Sequence, residues 1–319
     1  MTCPSFAKAN FKRVMIIRDK RNWFRLLFVW KESVLPEILP RLVVLFILSC
    51  VVVYYHGFFW HYKIPLNAAP FTLIGVALAI FIGFYNNASY DRFWEGRKLW
   101  GALLNDTRSL CRQAITFSGY SIGSSELTKF VHLLIAFVYA LKHQLRHTDA
   151  KEDLQRLLPA ELSTTLEHAH FKPVIVMQEL GKWIQKAKQE DKIDTITVVA
   201  FDHNLNSLSN IVGGCERIAG TPIPFTYKVL LHRTVYMYCF LLPFGLVDSI
   251  GWMTPIMVVF ISYTFMAFDA IVNEIEEPFG VAPNDLGLNA MSKMIEATLR
   301  EMAGEKIDVS DQEQGYVVD

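Results

Sequence analysis

Apolar positions along this chain come in two patterns, long unbroken runs and helical repeats. Residues 42–62 and 64–90 contain no Asp, Glu, Lys or Arg, and 234–268 contain only Asp248. A helix needs about 20 mostly apolar residues to cross a hydrocarbon core of about 30 Å. The runs therefore predict four membrane spans, at 41–60, 70–88, 234–250 and 253–270. Between the second and third, Leu127, Phe130, Leu134, Phe137, Val138 and Leu141 recur at three- and four-residue steps, the spacing of a helix with one packed face. SGYSIGSSE at 118–126 reads as a loop, with Ser124 or Ser125 capping the helix that follows. Pro159 and Pro173 punctuate further helices, and Pro222 and Pro224 break the chain before the third span. With no internal repeat and no β-rich stretch, the expected fold class is an all-α membrane protein.

One helix-like run, 71–113, changes character midway. TLIGVALAIFIGFYNNASY is uncharged, whereas DRFWEGRKLWGALLNDTRSLCRQ carries eight charged residues. A helix that crosses a bilayer and continues into water as a charged rod is an awkward anchor and a natural pore lining. Ion movement is the function this predicts.

Charge sets the orientation. Lys8, Lys12, Arg13, Arg18, Lys20, Arg21, Arg25, Lys31 and Arg41 precede or begin the first span, while Lys63 alone lies between spans one and two. By the positive-inside bias both termini and the middle region are cytoplasmic. Residues 1–40 read as a basic cytoplasmic entry without a cleavable leader. Then come a first transmembrane hairpin (41–88), a helical cytoplasmic region (89–232), a second hairpin (233–271) and a cytoplasmic C-terminal segment (272–303). Residues 304–319 form an acidic tail too poor in large apolar groups to order itself. Trp60, Tyr62 and Trp252 fall at the outer boundary, where amphipathic rings prefer to lie. The 319 residues are 52% apolar and carry no net charge, so membrane lipid is an expected partner and nucleic acid is not. Cys3, Cys50, Cys111, Cys215 and Cys239 have no metal-type spacing and read as free thiols.

Along the second span, Val76, Ile80 and Phe84 fall on one slowly drifting stripe at 100° per residue. Beside it Gly75, Ala79 and Gly83 make a small-xxx-small pattern that lets helices approach closely in lipid. Small residues packing second spans side by side, with a bulky stripe toward a shared axis, describe a ring of subunits. Ordinary packing within one chain describes the same residues.

The chain resembles the bestrophin family, in particular its bacterial homologues. The resemblance is carried by RLLFVWKESVLPEILPRL (25–42), IFIGFYNNASYDRFWEGRKLWGALLNDTR (80–108), GTPIPFTYKVLLHRTVYMYCFLLPFGL (220–246) and NEIEEPFGVAPNDLGLNAM (273–291). It implies a homopentameric channel for small inorganic ions in the bacterial inner membrane. It also implies a neck of Val76, Ile80 and Phe84 and a cytoplasmic aperture at Ile223. Prolines on both sides of Ile223 remove backbone donors and hold Thr221 and Ile223 off helical angles, in keeping with an extended turn. The calcium clasp of the animal members is altered here: VAPNDLGL follows Pro278-Phe279-Gly280, and Ala282 stands in a ligand's place. Glu274, Glu277 and Asp285 remain as oxygen ligands for a hard cation, or as solvated or paired carboxylates. No cofactor or resident metal is expected.

An apolar neck has no charge with which to select ions. In a straight helix Asp91 and Glu95 lie about 60° and 100° from Val76, beside Phe84 at about 80°. Five copies would make acidic rings, which favour cations. Arg92, Arg97 and Lys98 are close enough to neutralise them. The reading leans to cations, with an anion channel of the same architecture as the alternative. His143 with His147, and His168 with His170, read as surface pairs before they read as metal ligands. Asp269 near the inner end of span four is a functional candidate or a paired helix-end group. Asn86 and Asn87 hydrate ions or hydrogen-bond between subunits. The near absence of mid-membrane charge counts against a secondary carrier, and no nucleophile motif or phosphate loop points to an enzyme.

Overall fold

The computed structural model describes residues 33–59, 62–63, 68–282 and 284–305. The basic segment 1–32, Trp60 and the acidic tail from 306 lie outside them. The regular structure of the described residues is helical apart from a two-residue antiparallel ladder, β1 (Phe58–Phe59) with β2 (Tyr62–Lys63). It forms two compact units, one of 33–93 with 221–278 and one of 94–220 with 279–305.

The first unit holds the apolar helices. Helix α1 (Leu35–Tyr54) begins with Pro at its first turn and stops earlier than the span expected at 41–60. The stop is a backbone device invisible to hydropathy. His56 takes a left-handed φ of 49°, and Gly57 N–H and His56 N–H donate back to Val52 O at 2.9 Å and Val53 O at 3.0 Å. Helix α2 (Ala68–Phe117) starts in this unit and runs 50 residues, its helical hydrogen bonding continuing past Phe84. At 1.5 Å per residue it is about 75 Å long, more than twice the core of a bilayer. Helices α8 (Phe225–Ile250) and α9 (Thr254–Ile275) are joined by a 3₁₀ turn, Gly251–Met253, entered through Gly251 at φ 51°. Helix α8 starts earlier and α9 ends later than the expected spans, because the helical pattern continues through charged residues that hydropathy excludes. Helix α1 packs on α8 and α9, and α8 packs on α9. Ile38, Leu42, Leu45, Phe71, Leu78, Ile82, Val235, Leu242 and Val258 share one core. Apolar residues nevertheless cover much of the outside, among them Val44, Ile47, Leu73, Phe81, Phe240 and Phe260. Three stretches, Leu35–Tyr54, Ala69–Phe117 and Phe225–Ile275, are long and apolar enough to cross a membrane, the third containing both α8 and α9.

The second unit is built around α3 (Ser125–Arg146). Its N-cap is Ser124, whose hydroxyl accepts from Leu127 N–H at 3.4 Å, and His147 closes it in a left-handed C-cap. The expected periodic residues Leu127, Phe130, Leu134, Phe137, Val138 and Leu141 are all buried. Around α3 pack α4 (Lys151–Leu157), α6 (Lys172–Gln189), α7 (Thr195–Gly220) and α10 (Leu288–Met302), with α5 (Ala160–Glu167) against α4. Pro159 caps α5 and Pro173 lies in the first turn of α6, so both punctuate helices as expected. Trp183 on α6 stacks on Phe130 at 4.3 Å and donates its indole N–H to Glu126 O at 2.9 Å.

Candidate functional site

The α2 face that carries Phe71, Leu78, Ile82, Tyr85 and Ser89 is buried, and these residues recur at steps of seven, four, three and four, the spacing of one helix face. The opposite face is left uncovered. Val76, Ile80 and Phe84 are 56%, 54% and 69% exposed. The small-residue stripe divides between the two faces. Gly75 packs within the chain: a Cβ there would stand 2.9 Å from the Tyr238 hydroxyl. For Gly75 the reading of ordinary packing within one chain therefore holds. Ala79 and Gly83 are exposed, and a Cβ at Gly83 would meet nothing within 4 Å.

Ile223 sits in the connection between α7 and α8, outside either helix. Pro224 is the N-cap of α8, at φ −53° and ψ 123°, so the chain is extended there, as its prolines require. The Ile223 side chain is half-buried against the apolar core of its unit. Main-chain carbonyls on either side of the neighbouring helices are gathered by Arg92 on α2. Its Nε donates to Glu276 O at 3.1 Å, and its NH1 donates to Thr221 O. Glu276 is itself only 4% exposed, and its Oε2 accepts from Tyr85 OH at 2.8 Å and from Lys228 Nζ at 3.3 Å.

Sequence reasoning passed over Glu276 in favour of Glu274 and Glu277 on either side. A signal was available: Glu276 lies 18 residues, a whole number of helical turns, beyond Val258, and about 20° from Asp269. Both of those are buried. Asp269 is paired, its Oδ2 standing 3.0 Å from His232 Nδ1.

The carboxylates proposed as selectivity rings have different surroundings. Glu95 forms an ion pair with Arg217, a partner other than the Arg92, Arg97 and Lys98 expected nearby. Asp91 is exposed and makes no ion pair among the described residues. Near Glu95, burial pushes the Cys215 thiol up to about 12, with Glu216 and Glu95 adding to the shift. It is therefore an inert packed thiol.

Among the described residues no three His, Cys, Asp or Glu side chains are grouped to hold a metal ion. Asp285 is buried and its Oδ2 accepts from Ala282 N–H at 2.7 Å, closing the turn after Phe279. Glu277 is exposed. His143 does not pair with His147: its ring nitrogens stand 2.9 Å from Asp153 Oδ2 and 2.7 Å from Thr148 Oγ1. His147 is the left-handed cap. Asn86 is half-buried and Asn87 exposed.

Known proteins resemble the chain throughout this framework. A protein of Ralstonia nicotianae named as voltage-dependent anion channel-forming is 50% identical over 291 residues, covering 91% of this chain and 95% of its own. One of the same description from Escherichia coli K12 is 40% identical over 291 residues, with 91% and 95% covered. A crystal structure of a bacterial bestrophin homologue from Klebsiella pneumoniae superposes with a TM-score of 0.81 at 42% identity, covering 84% of this chain and 100% of that one. The family model for bacterial and fungal bestrophin proteins matches residues 15–301. The long half-apolar helix, the proline-flanked isoleucine and the uncovered apolar faces are thus features of a membrane protein that belongs to the bacterial and fungal bestrophin family.

Proposed function

We propose that the chain is one subunit of a homopentameric channel passing small monovalent anions across a bacterial inner membrane. The observation that carries this reading is the state of the second apolar helix. Only 22% of its apolar window is buried within the chain, against 33% for the other two stretches. Its uncovered face holds Val76, Ile80 and Phe84, bulky side chains that in a ring of five would form an apolar neck gated by dewetting. Helices α1, α8 and α9 with the apolar start of α2 supply four spans, both termini being cytoplasmic. Ile223 forms the second constriction.

Selectivity for anions replaces the cation reading for two reasons. The relatives from Ralstonia and Escherichia coli carry anion channel in their names. Locally, Glu95 is balanced by Arg217, while Arg97 and Lys98 are exposed and form no ion pair among the described residues. The first charged turns of α2 thus present Asp91 against two unbalanced cations, and basic rings favour anions.

The test is the reversal potential of the purified protein in a planar bilayer under a KCl gradient. A value near the chloride equilibrium potential is expected. A value near that of potassium would return selectivity to Asp91 and overturn the anion reading, and no current at all would overturn the channel.

A further inference from the structure

The turn Thr221-Pro222-Ile223-Pro224 is poor in its own means of support. Two of its four residues have no N–H to give to helix or ladder bonds, and its last, Pro224, accepts a main-chain bond from Tyr227 N–H at 2.9 Å. It also follows the C-terminus of α7, where helix carbonyls lack partners. What else holds it comes from α2 and α9. Arg92 joins Thr221 O, two residues before Ile223, to Glu276 O. Lys228, five residues after Ile223, reaches the Glu276 carboxylate at 3.3 Å. Bonds from both sides of Ile223 therefore converge on one buried residue. The same carboxylate accepts the hydroxyl of Tyr85, which directly follows Phe84.

We propose that Arg92 and Glu276 are positioning residues that brace the Ile223 turn against the helix carrying Phe84, and so set the width of the aperture within each subunit. This rests on the channel reading of Ile223. The chemistry explains the residue types. Two carbonyls on different chain segments must be bound by one rigid planar group, which a guanidinium supplies and a single ammonium does not. The carboxylate must accept from a hydroxyl and a cation together while buried, and both partners supply the stabilisation its burial needs.

The discriminating variant is Arg92→Lys, which keeps the charge and loses the fork. Unitary conductance of full-length channels in planar bilayers is measured for wild type, Arg92→Lys, Ile223→Ala and the double variant. If the brace sets the aperture, Arg92→Lys shifts conductance in the direction of Ile223→Ala. The two effects then combine to less than the product of the separate fold-changes, since both act through the same side chain. Reversal potential stays at its wild-type value. A conductance unchanged by Arg92→Lys, or full multiplicative independence of the two substitutions, overturns the proposal. A shift in reversal potential without a change in conductance also overturns it, since Arg92 would then act as a charge facing the ions. Should Arg92→Lys fail to assemble, Tyr85→Phe removes a single hydroxyl from Glu276 and carries the same cycle. If Ile223→Ala alone leaves conductance unchanged, it is the aperture reading that falls, and the brace loses its object with it.

Discussion

Asp153 draws three cationic or ionisable partners to one carboxyl: Lys142 Nζ at 3.2 Å, His143 Nε2 at 2.9 Å and Arg156 NH2 at 3.3 Å. Burial alone would raise its pKa. The His143 hydrogen bond and the Lys142 charge outweigh burial and hold it well below the usual carboxylate range. Glu296, under Arg156, Tyr139 and Arg300, is likewise lowered against its burial. A carboxyl depressed on folding adds stability above its unfolded pKa of about 4, and that stability is lost as pH falls from there through the folded value. The unit of 94–220 with 279–305 is therefore expected to lose thermal stability steeply below about pH 4. Asp153→Asn leaves the Lys142 ammonium, 7% exposed, without its counter-charge. Discounted for the partial exposure of Asp153, the loss at pH 7 is about 2–4 kcal/mol. Melting of the detergent-solubilised variant from pH 3 to 7 checks both points: a lower midpoint at pH 7 and a flatter acid limb. An unaltered acid limb would mean that other carboxylates govern it.

Elements of the apolar unit depend on close backbone approach as much as on greasy surface. Gly245, on α8, lies directly beneath the Phe71 ring of α2, so that a Cβ there would occupy the place of the ring's own carbons. Overpacking of this kind costs about 1–3 kcal/mol. Gly245→Ala should lower the melting midpoint, and Phe71→Leu in the same chain should recover part of the loss. Two additive losses would show that the contact is not what constrains Gly245. Such contacts mark where sequence reading stopped. Helix type, the apolar runs, the α3 face and Ser124 as one of two expected caps were legible, because periodicity and capping act within a few residues. The end of α1 was not, since it depends on His56 adopting a left-handed angle that composition does not report. The partner of Glu95 was not foreseen and Glu276 was passed over for a related reason. Whether a carboxylate is free depends on Arg217 or Lys228, distant in the chain, and helical angle alone carries no information about partners.

For the whole molecule, the apolar surface left outside the two units sets the next question. Lipid covers apolar side chains, but lipid has no need of glycines, which are favoured where two backbones approach each other. Gly83 is exposed beside Phe84 and has open space where a Cβ would go. A Cβ there fits the isolated chain without strain. Gly83→Leu is therefore expected to leave helix content and the packing of each chain unchanged while separating second spans that pack side by side. Mass measurement in detergent should give about five chains for the wild type and a shift to smaller species for Gly83→Leu, since small interfacial residues are what let such helices close. Because a Cβ at this position meets nothing within 4 Å in its own chain, a loss of assembly with helix content unchanged would locate the contact between subunits. A stable pentamer carrying the leucine would turn Gly83 to lipid or to the open axis, and would leave Ala79 as the remaining small residue on that exposed side.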